Sequence, residues 1–302
     1  MKTETNKASF GVEPKVENSL PYVVSGDIKT LLGQWAESSG FRLPEDTFFD
    51  SLRSDFCVYM KSIFPGFEFI DEQTIVSRMK QIMPEKKPLL SLDPVYSPSD
   101  LTIGVTRVRK ANGEGGIGRR SQTPPLLRQF RDLRRLRASE VDIADDVIFG
   151  GDVLKRVGRV VKKMGIQIGT IYAGVGIGSG VQKLRDAGYP TECAFYYPKA
   201  IDEICERDFY PGVPMSGRLI DPELNIGAPY VLPFGDPGEW ASIPTGQQVP
   251  FSKFCLSQTE KLFQGIEQAS SKIVTCKDLS RGVVGLPRDD TRFVDVLKNV
   301  KL

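Results

Sequence analysis

Two adjacent carboxylates, Asp145 and Asp146, are the residues best placed by type and spacing to do chemistry. They follow the apolar run Val141 to Ala144, and Val147, Ile148, Phe149, Gly150, Gly151 and Asp152 come next. The order reads as strand, acid pair, glycine turn and helix. Free amides at a helix start attract phosphate. Paired carboxylates hold hydroxyls or a hydrated Mg²⁺ beside it. A phosphorylated sugar is the ligand this order suits. Upstream, Thr106 and Arg107 close an apolar strand, and Arg109, Lys110, Arg119 and Arg120 lie in the glycine-rich segment that follows. Glycines give such a segment freedom and its cations give it an anionic target. It reads as a lid over an anionic substrate or as a solvated hairpin tip.

Composition removes other chemistries. The chain has no histidine. That excludes a Ser-His-Asp or Cys-His triad, a histidine zinc site and a histidine base. The five cysteines are odd in number and form no CxxC pair, which suits reduced thiols in a cytoplasm. No apolar run approaches the ~20 residues that span a bilayer, and the polar N-terminus has no signal-like apolar core. The net charge of +2 means that any basic surface is local. It is concentrated between Arg107 and Arg137, where Glu114 and Asp132 are the only acids. Proline at 124 and 125 starts a helix there. Leu126, Leu127, Phe130, Leu133 and Leu136 form its expected buried stripe, with arginines mostly opposite. That arginine face is a solvated surface or, in a competing account, a nucleic-acid contact.

The elements that must position these residues follow from periodicity. Residues 1–24 read as a mobile polar arm. Residues 25–88 read as a helical extension, with helices from Asp27 to Gly40, from about Glu45 to Pro65, and from Asp71 to Pro84. Residues 89–206 alternate strands and helices, which argues for parallel β-α-β units whose ligands sit at the carboxyl ends of the strands. Arg107, Asp145, Asp146 and Gly174 are expected at such ends. Gly174, Gly176, Gly178 and Gly180 read as a second glycine turn whose spacing misses the dinucleotide pattern. Ala200 to Glu206 reads as a short helix. Residues 207–302 form a hood-like region with long aromatic, proline-stiffened loops, which wall a flat base or pack on the core. Helices are expected from Lys253 to Glu267 and near Phe293 to Lys298.

The stretch from Val141 to Asp152, with a strand ending at Thr106-Arg107 and a basic segment before it, resembles the 5-phosphoribosyl-1-pyrophosphate (PRPP) motif of type I phosphoribosyltransferases. The resemblance covers residues 102–197, and more weakly the loops up to Pro244. It implies an α/β fold with a mainly parallel central sheet flanked by helices. It implies transfer of a phosphoribosyl group to a nucleobase or related acceptor, with release of pyrophosphate. Asp145 and Asp146 would hold the ribose diol and, through water, Mg²⁺. The turn of Phe149, Gly150, Gly151 and Asp152 would take the 5′-phosphate. Thr106, Arg107, Arg109, Lys110, Arg119 and Arg120 would meet pyrophosphate. Tyr210 and Arg218 are candidate acceptor contacts. One position departs from the pattern: Asp152 stands where a hydroxyl would donate to phosphate. It repels a dianion there, or it caps its helix by turning onto its own amides. A catalytically silent nucleotide sensor and a nucleic-acid binder are the other functions this sequence admits. A homo-oligomer is left open, and no membrane partner is expected.

Overall fold

The computed structural model describes residues 19–84, 87–99, 101–109, 115–121, 123–133 and 138–302, with Arg107, Arg109 and Ile117 described by backbone alone. The N-terminal stretch is strand β1 (Tyr22–Ser25), helices α1 (Ile28–Ser39) and α2 (Asp46–Ile63), strand β2 (Phe67–Ile70) and helix α3 (Glu72–Ile82). The middle contains β3 (Leu89–Ser91), β4 (Val105–Arg109), β5 (Gly115–Arg119), α4 (Leu126–Leu133), β6 (Glu140–Ile148), α5 (Asp152–Lys163), β7 (Gln167–Ile177), α6 (Gly178–Asp186) and β8 (Thr191–Tyr197). Then come β9 (Asp202–Cys205), β10 (Arg218–Asp221), β11 (Ile226–Ala228), α7 (Pro237–Ala241), α8 (Gln248–Ser270), β12 (Gly282–Val283) and α9 (Phe293–Lys298).

The fold is α/β. A four-stranded sheet in the order β3-β6-β7-β8 is parallel throughout. Helix α5 covers it with Leu154, Val157 and Val161, and α6 with Val181 and Leu184. Apolar residues three and four apart on one face are what make each helix bury there. A second parallel sheet, β2-β1-β9, joins the chain's beginning to its middle. The third sheet, β12-β11-β10-β4-β5, is mixed. Its antiparallel pair β4–β5 carries Val105 opposite Arg119, and β4 also meets β10 at Leu219. Tyr22, Phe49, Phe56, Phe251, Phe263 and Phe293 fill the main core between α2, α8 and α9.

Several expectations need correction. Of the arm expected over residues 1–24, Tyr22, Val23 and Val24 are buried in β1, and residues 1–18 lie outside the described residues. The helical stretch of 25–88 also holds β2, since four residues are too few to show a period. The expected helix from Ala200 to Glu206 is instead β9, followed by a 3-10 turn (Glu206–Phe209). Gly174 and Gly176 are not in a turn but inside β7. A Cβ on Gly174 would lie 2.8 Å from Ile75 of α3 and 2.9 Å from the Asp146 carbonyl, so the glycine lets α3 and β6 close on β7. On α4, Leu133 is buried, but Leu127 is 87% exposed, and Leu136 lies outside the described residues. Among the described residues no helix is long and apolar enough to cross a membrane. All five cysteines are free thiols.

Candidate functional site

Strand β6 delivers Asp145 and Asp146 to a cavity of about 280 Å³. They sit within the strand, which runs two residues further to Ile148. The turn of Phe149, Gly150 and Gly151 and the first residues of α5 line the same cavity. Gly151 takes φ 71°, and a Cβ there would lie 2.8 Å from the Gly180 carbonyl. Both the left-handed backbone and the close approach require glycine. The ladder of α5 begins where the Lys155 amide donates to the Gly151 carbonyl. The amides of residues 152–154 precede it and carry the positive end of the helix dipole.

Asp152 is not the cap. Gly151 holds that position, and no side chain caps the helix. The Asp152 carboxylate is exposed and turns to Lys183 of α6, whose ammonium donates to it at 2.8 and 2.9 Å. That hydrogen bond holds the carboxyl below the usual carboxylate range. The expected conflict between Asp152 and a phosphate is therefore reduced in two ways: the helix amides stay clear, and a neighbouring cation offsets the charge.

The opposite wall is built from residues distant in sequence. Arg207, in the 3-10 turn after β9, donates to Asp27 just after β1 and, at 3.1 Å, to Asp146. Its backbone amide also donates to Asp27, at 2.9 Å. One guanidinium thus ties together the carboxyl ends of β1, β9 and β6. Asp27 has no exposed surface, and burial pushes its carboxyl up to about 8 against the pull of Arg207. Behind this pair, Arg53 of α2 bridges buried Glu206 and Glu72 at 2.8 and 2.7 Å. Following β3, Asp93 accepts from the amides of Val95, Tyr96 and Ser97. Burial, then the nearby Asp146, raises its carboxyl to about 6. Asp145 is pushed well above the usual range by desolvation, then by Asp146 and Asp93. Three acids so close do not all ionise together.

The remaining sequence candidates scatter. Thr106 and Arg120 line the cavity. Arg119 turns away, to the Thr123 carbonyl at 2.8 Å and to Glu223 at 2.5 Å. Lys110 lies outside the described residues. The segment expected as a lid is, where described, the β4–β5 ribbon. Tyr210 is buried in the main core near Phe56 and does not line the cavity. Arg218 stacks on Trp240 at 4.4 Å and lies 5.8 Å from Tyr230, which does line it. Sequence reasoning missed Asp27, Asp93, Arg207 and Asp208. Asp93 and Arg207 each follow a strand of a parallel sheet, but those strands are only three and four residues long.

Among the described residues, no three acids or cysteines gather as a metal-holding group. Asp145 and Asp146 supply two carboxylates, and Asp146 is shared with Arg207. With the rest of its shell supplied by water or ligand oxygens, such a pair could hold a hydrated Mg²⁺.

No protein-family model matches the chain. No curated protein matches it in sequence. Solved structures match part of it. It is similar to UMP synthase from Leishmania donovani at 13% identity and TM-score 0.26, over 41% of this chain and 27% of that one, so the match spans about a quarter of that protein. It is similar to adenine phosphoribosyltransferase from Thermoanaerobacter pseudethanolicus at 11% identity and TM-score 0.25, over 41% of this chain and 79% of that one. Purine phosphoribosyltransferase from Pyrococcus horikoshii matches at 16% identity and TM-score 0.25, over 44% and 84%.

Proposed function

We propose that the protein is phosphoribosyltransferase-like and transfers a 5-phosphoribosyl group from PRPP to a nucleobase or related acceptor, releasing pyrophosphate. The observation that carries this reading is one cavity lined by a strand-borne acid pair, a left-handed glycine turn and a helix N-terminus. Asp145 and Asp146 take the ribose diol. The amides of residues 152–154 take the 5′-phosphate. Arg207, on the far wall, offsets charge on the leaving pyrophosphate. Mg²⁺ enters with the donor and neutralises its phosphates. Catalysis of this kind consists of positioning and charge stabilisation, so a chain without histidine suffices.

A second reading is favoured by the Arg207–Asp146 pair: a nucleotide-binding module that does not transfer. Calorimetric titration of the pure protein with PRPP and Mg²⁺ tests both. Heat that is lost in Asp145→Asn/Asp146→Asn, with pyrophosphate released when a nucleobase panel is added, supports transfer. Binding without pyrophosphate release selects the module. No heat from the wild type removes both readings.

A further inference from the structure

Beside the acid-lined cavity is a second one of about 270 Å³, and the two share Arg120 and Met215 as a partition. Among the described residues, the charged ones lining it are Arg120 and Arg281, with no acid. Arg281 is only 3% exposed. Its Nη1 donates to the carbonyls of Met215, Ser216 and Gly217 at 2.9, 3.3 and 3.2 Å, and its Nε donates to Asn225 at 3.2 Å. Three carbonyls converge on one nitrogen because Met215 and Gly217 both adopt left-handed backbone, at φ 65° and 71°. None of these bonds uses Nη2, and every acceptor is neutral. Arg120 likewise donates to the Leu92 and Val105 carbonyls at 2.8 and 3.4 Å, while its buried Nε has no hydrogen-bond partner among the described residues.

A buried guanidinium held only by neutral oxygens is solvated but not compensated, and such a charge is costly without a counter-charge. Burial, then Arg207, pushes Arg281 down to about 10, and the pull of Asp208 does not restore it. Arg120 is lowered by the same two causes, in that order. Carboxylates and phosphates match the planar fork of arginine. Trp35, Gln34 and Asn225 supply the other walls, an apolar ring edge beside amide groups.

We propose that this compartment is an oxyanion site, holding a carboxylate or phosphate carried by the acceptor while the ribose donor occupies the acid-lined cavity. The inference deepens the phosphoribosyltransferase reading and rests on it for the word acceptor; the anion site itself stands on Arg281, Arg120 and the cavity.

Trp35 provides a local reporter. Intrinsic fluorescence of the full chain is titrated at low salt with benzoate, with its neutral analogue benzamide and with inorganic phosphate, and Trp35→Phe assigns the signal. The expected result is a Trp35 response to benzoate or phosphate at least tenfold tighter than to benzamide, and tenfold weaker in Arg281→Gln. Arg120→Gln gives the same loss if Arg281→Gln does not fold. A tighter benzoate response assigns a carboxylate, and a tighter phosphate response assigns a phosphate. Equal affinity for benzoate and benzamide, no response to either anion, or wild-type affinity in a folded arginine variant overturns the site. A PRPP titration of the same protein separates the two claims. Anion binding without PRPP binding leaves the oxyanion site and removes the transferase reading, whereas PRPP binding with a silent Trp35 does the reverse.

Discussion

The two compartments that meet at Arg120 and Met215 are opposite in sign. The larger is lined by four aspartates, Asp145, Asp146, Asp152 and Asp208, against Arg120 and Arg207. Among the described residues, the smaller is lined by Arg120 and Arg281 with no acid. Their partners differ too. In the larger, charges pair across strands, as Arg207 does with Asp27 and Asp146. In the smaller, Arg281 rests on carbonyls. A site whose charges are largely paired with one another selects ligands mainly by hydroxyl and amide geometry. A site whose charges face neutral oxygens selects them by charge.

The most severe way to break this contrast is to remove Arg207. Above pH 8, where the Asp27 carboxyl is ionised, Arg207→Gln leaves it buried with no cation, and loss of one partner from such a pair costs about 3–5 kcal/mol. Urea unfolding should show that drop. A loss within 1 kcal/mol would mean that Asp27 is already neutral and that the pair contributes little.

Next in size, Asp145→Asn/Asp146→Asn should weaken PRPP by ten- to a hundredfold, about 1.4–2.8 kcal/mol, while the benzoate response of Trp35 stays as in the wild type. Calorimetry and fluorescence on one preparation check both halves. If both affinities fall together, the compartments are not independent.

The compartments should also differ in pH response. Asp27 and Asp93 have folded values of about 8 and about 6, above the ordinary 3.8, and Glu206 is raised by burial as well. Between pH 4 and 8 the folded chain therefore holds protons that the unfolded chain has released. Stability should fall as pH rises across that window, by about 1.4 kcal/mol per pH unit for each extra proton held. Benzoate binding beside Arg281 should stay flat between about pH 6 and 8, where the benzoate is fully ionised and a guanidinium at about 10 keeps its charge. Denaturation midpoints that rise with pH from 5 to 8 would contradict the first half of this expectation.

The smallest effect is expected at Asp152. Asp152→Asn removes a charge near the amides of α5 and releases Lys183, so PRPP should bind two- to threefold tighter, about 0.5 kcal/mol. Weaker binding would show that the Lys183 contact orders the turn.

What the sequence revealed divides along the same line. The stripes of α1, α2, α3, α5 and α8 were readable because each spans three turns or more. The acid pair and glycine turn were readable because neighbours in the chain are neighbours in the cavity. Arg207 and Asp27 are 180 residues apart, and Arg281 meets Met215 across 66, so no local pattern marks either. Strands β1, β2 and β9, of four residues each, are too short for alternation to register. The glycines at 174 and 176 pointed to a turn, where tight packing inside β7 is what requires them.

The pairing of β1 with β9 has a consequence for how the chain is made. Tyr22 to Ser25 lie beside Asp202 to Cys205, so one edge of the first strand waits while the intervening polypeptide leaves the ribosome. At ordinary elongation rates of about 5–20 residues per second that interval is roughly 10–40 s. Until β9 emerges β1 can pair only with β2, once Phe67–Ile70 have been made, so its far edge stays open and Asp27 lacks the Arg207 guanidinium. Strand β1 gains its second neighbour only after some 180 further residues have been synthesised.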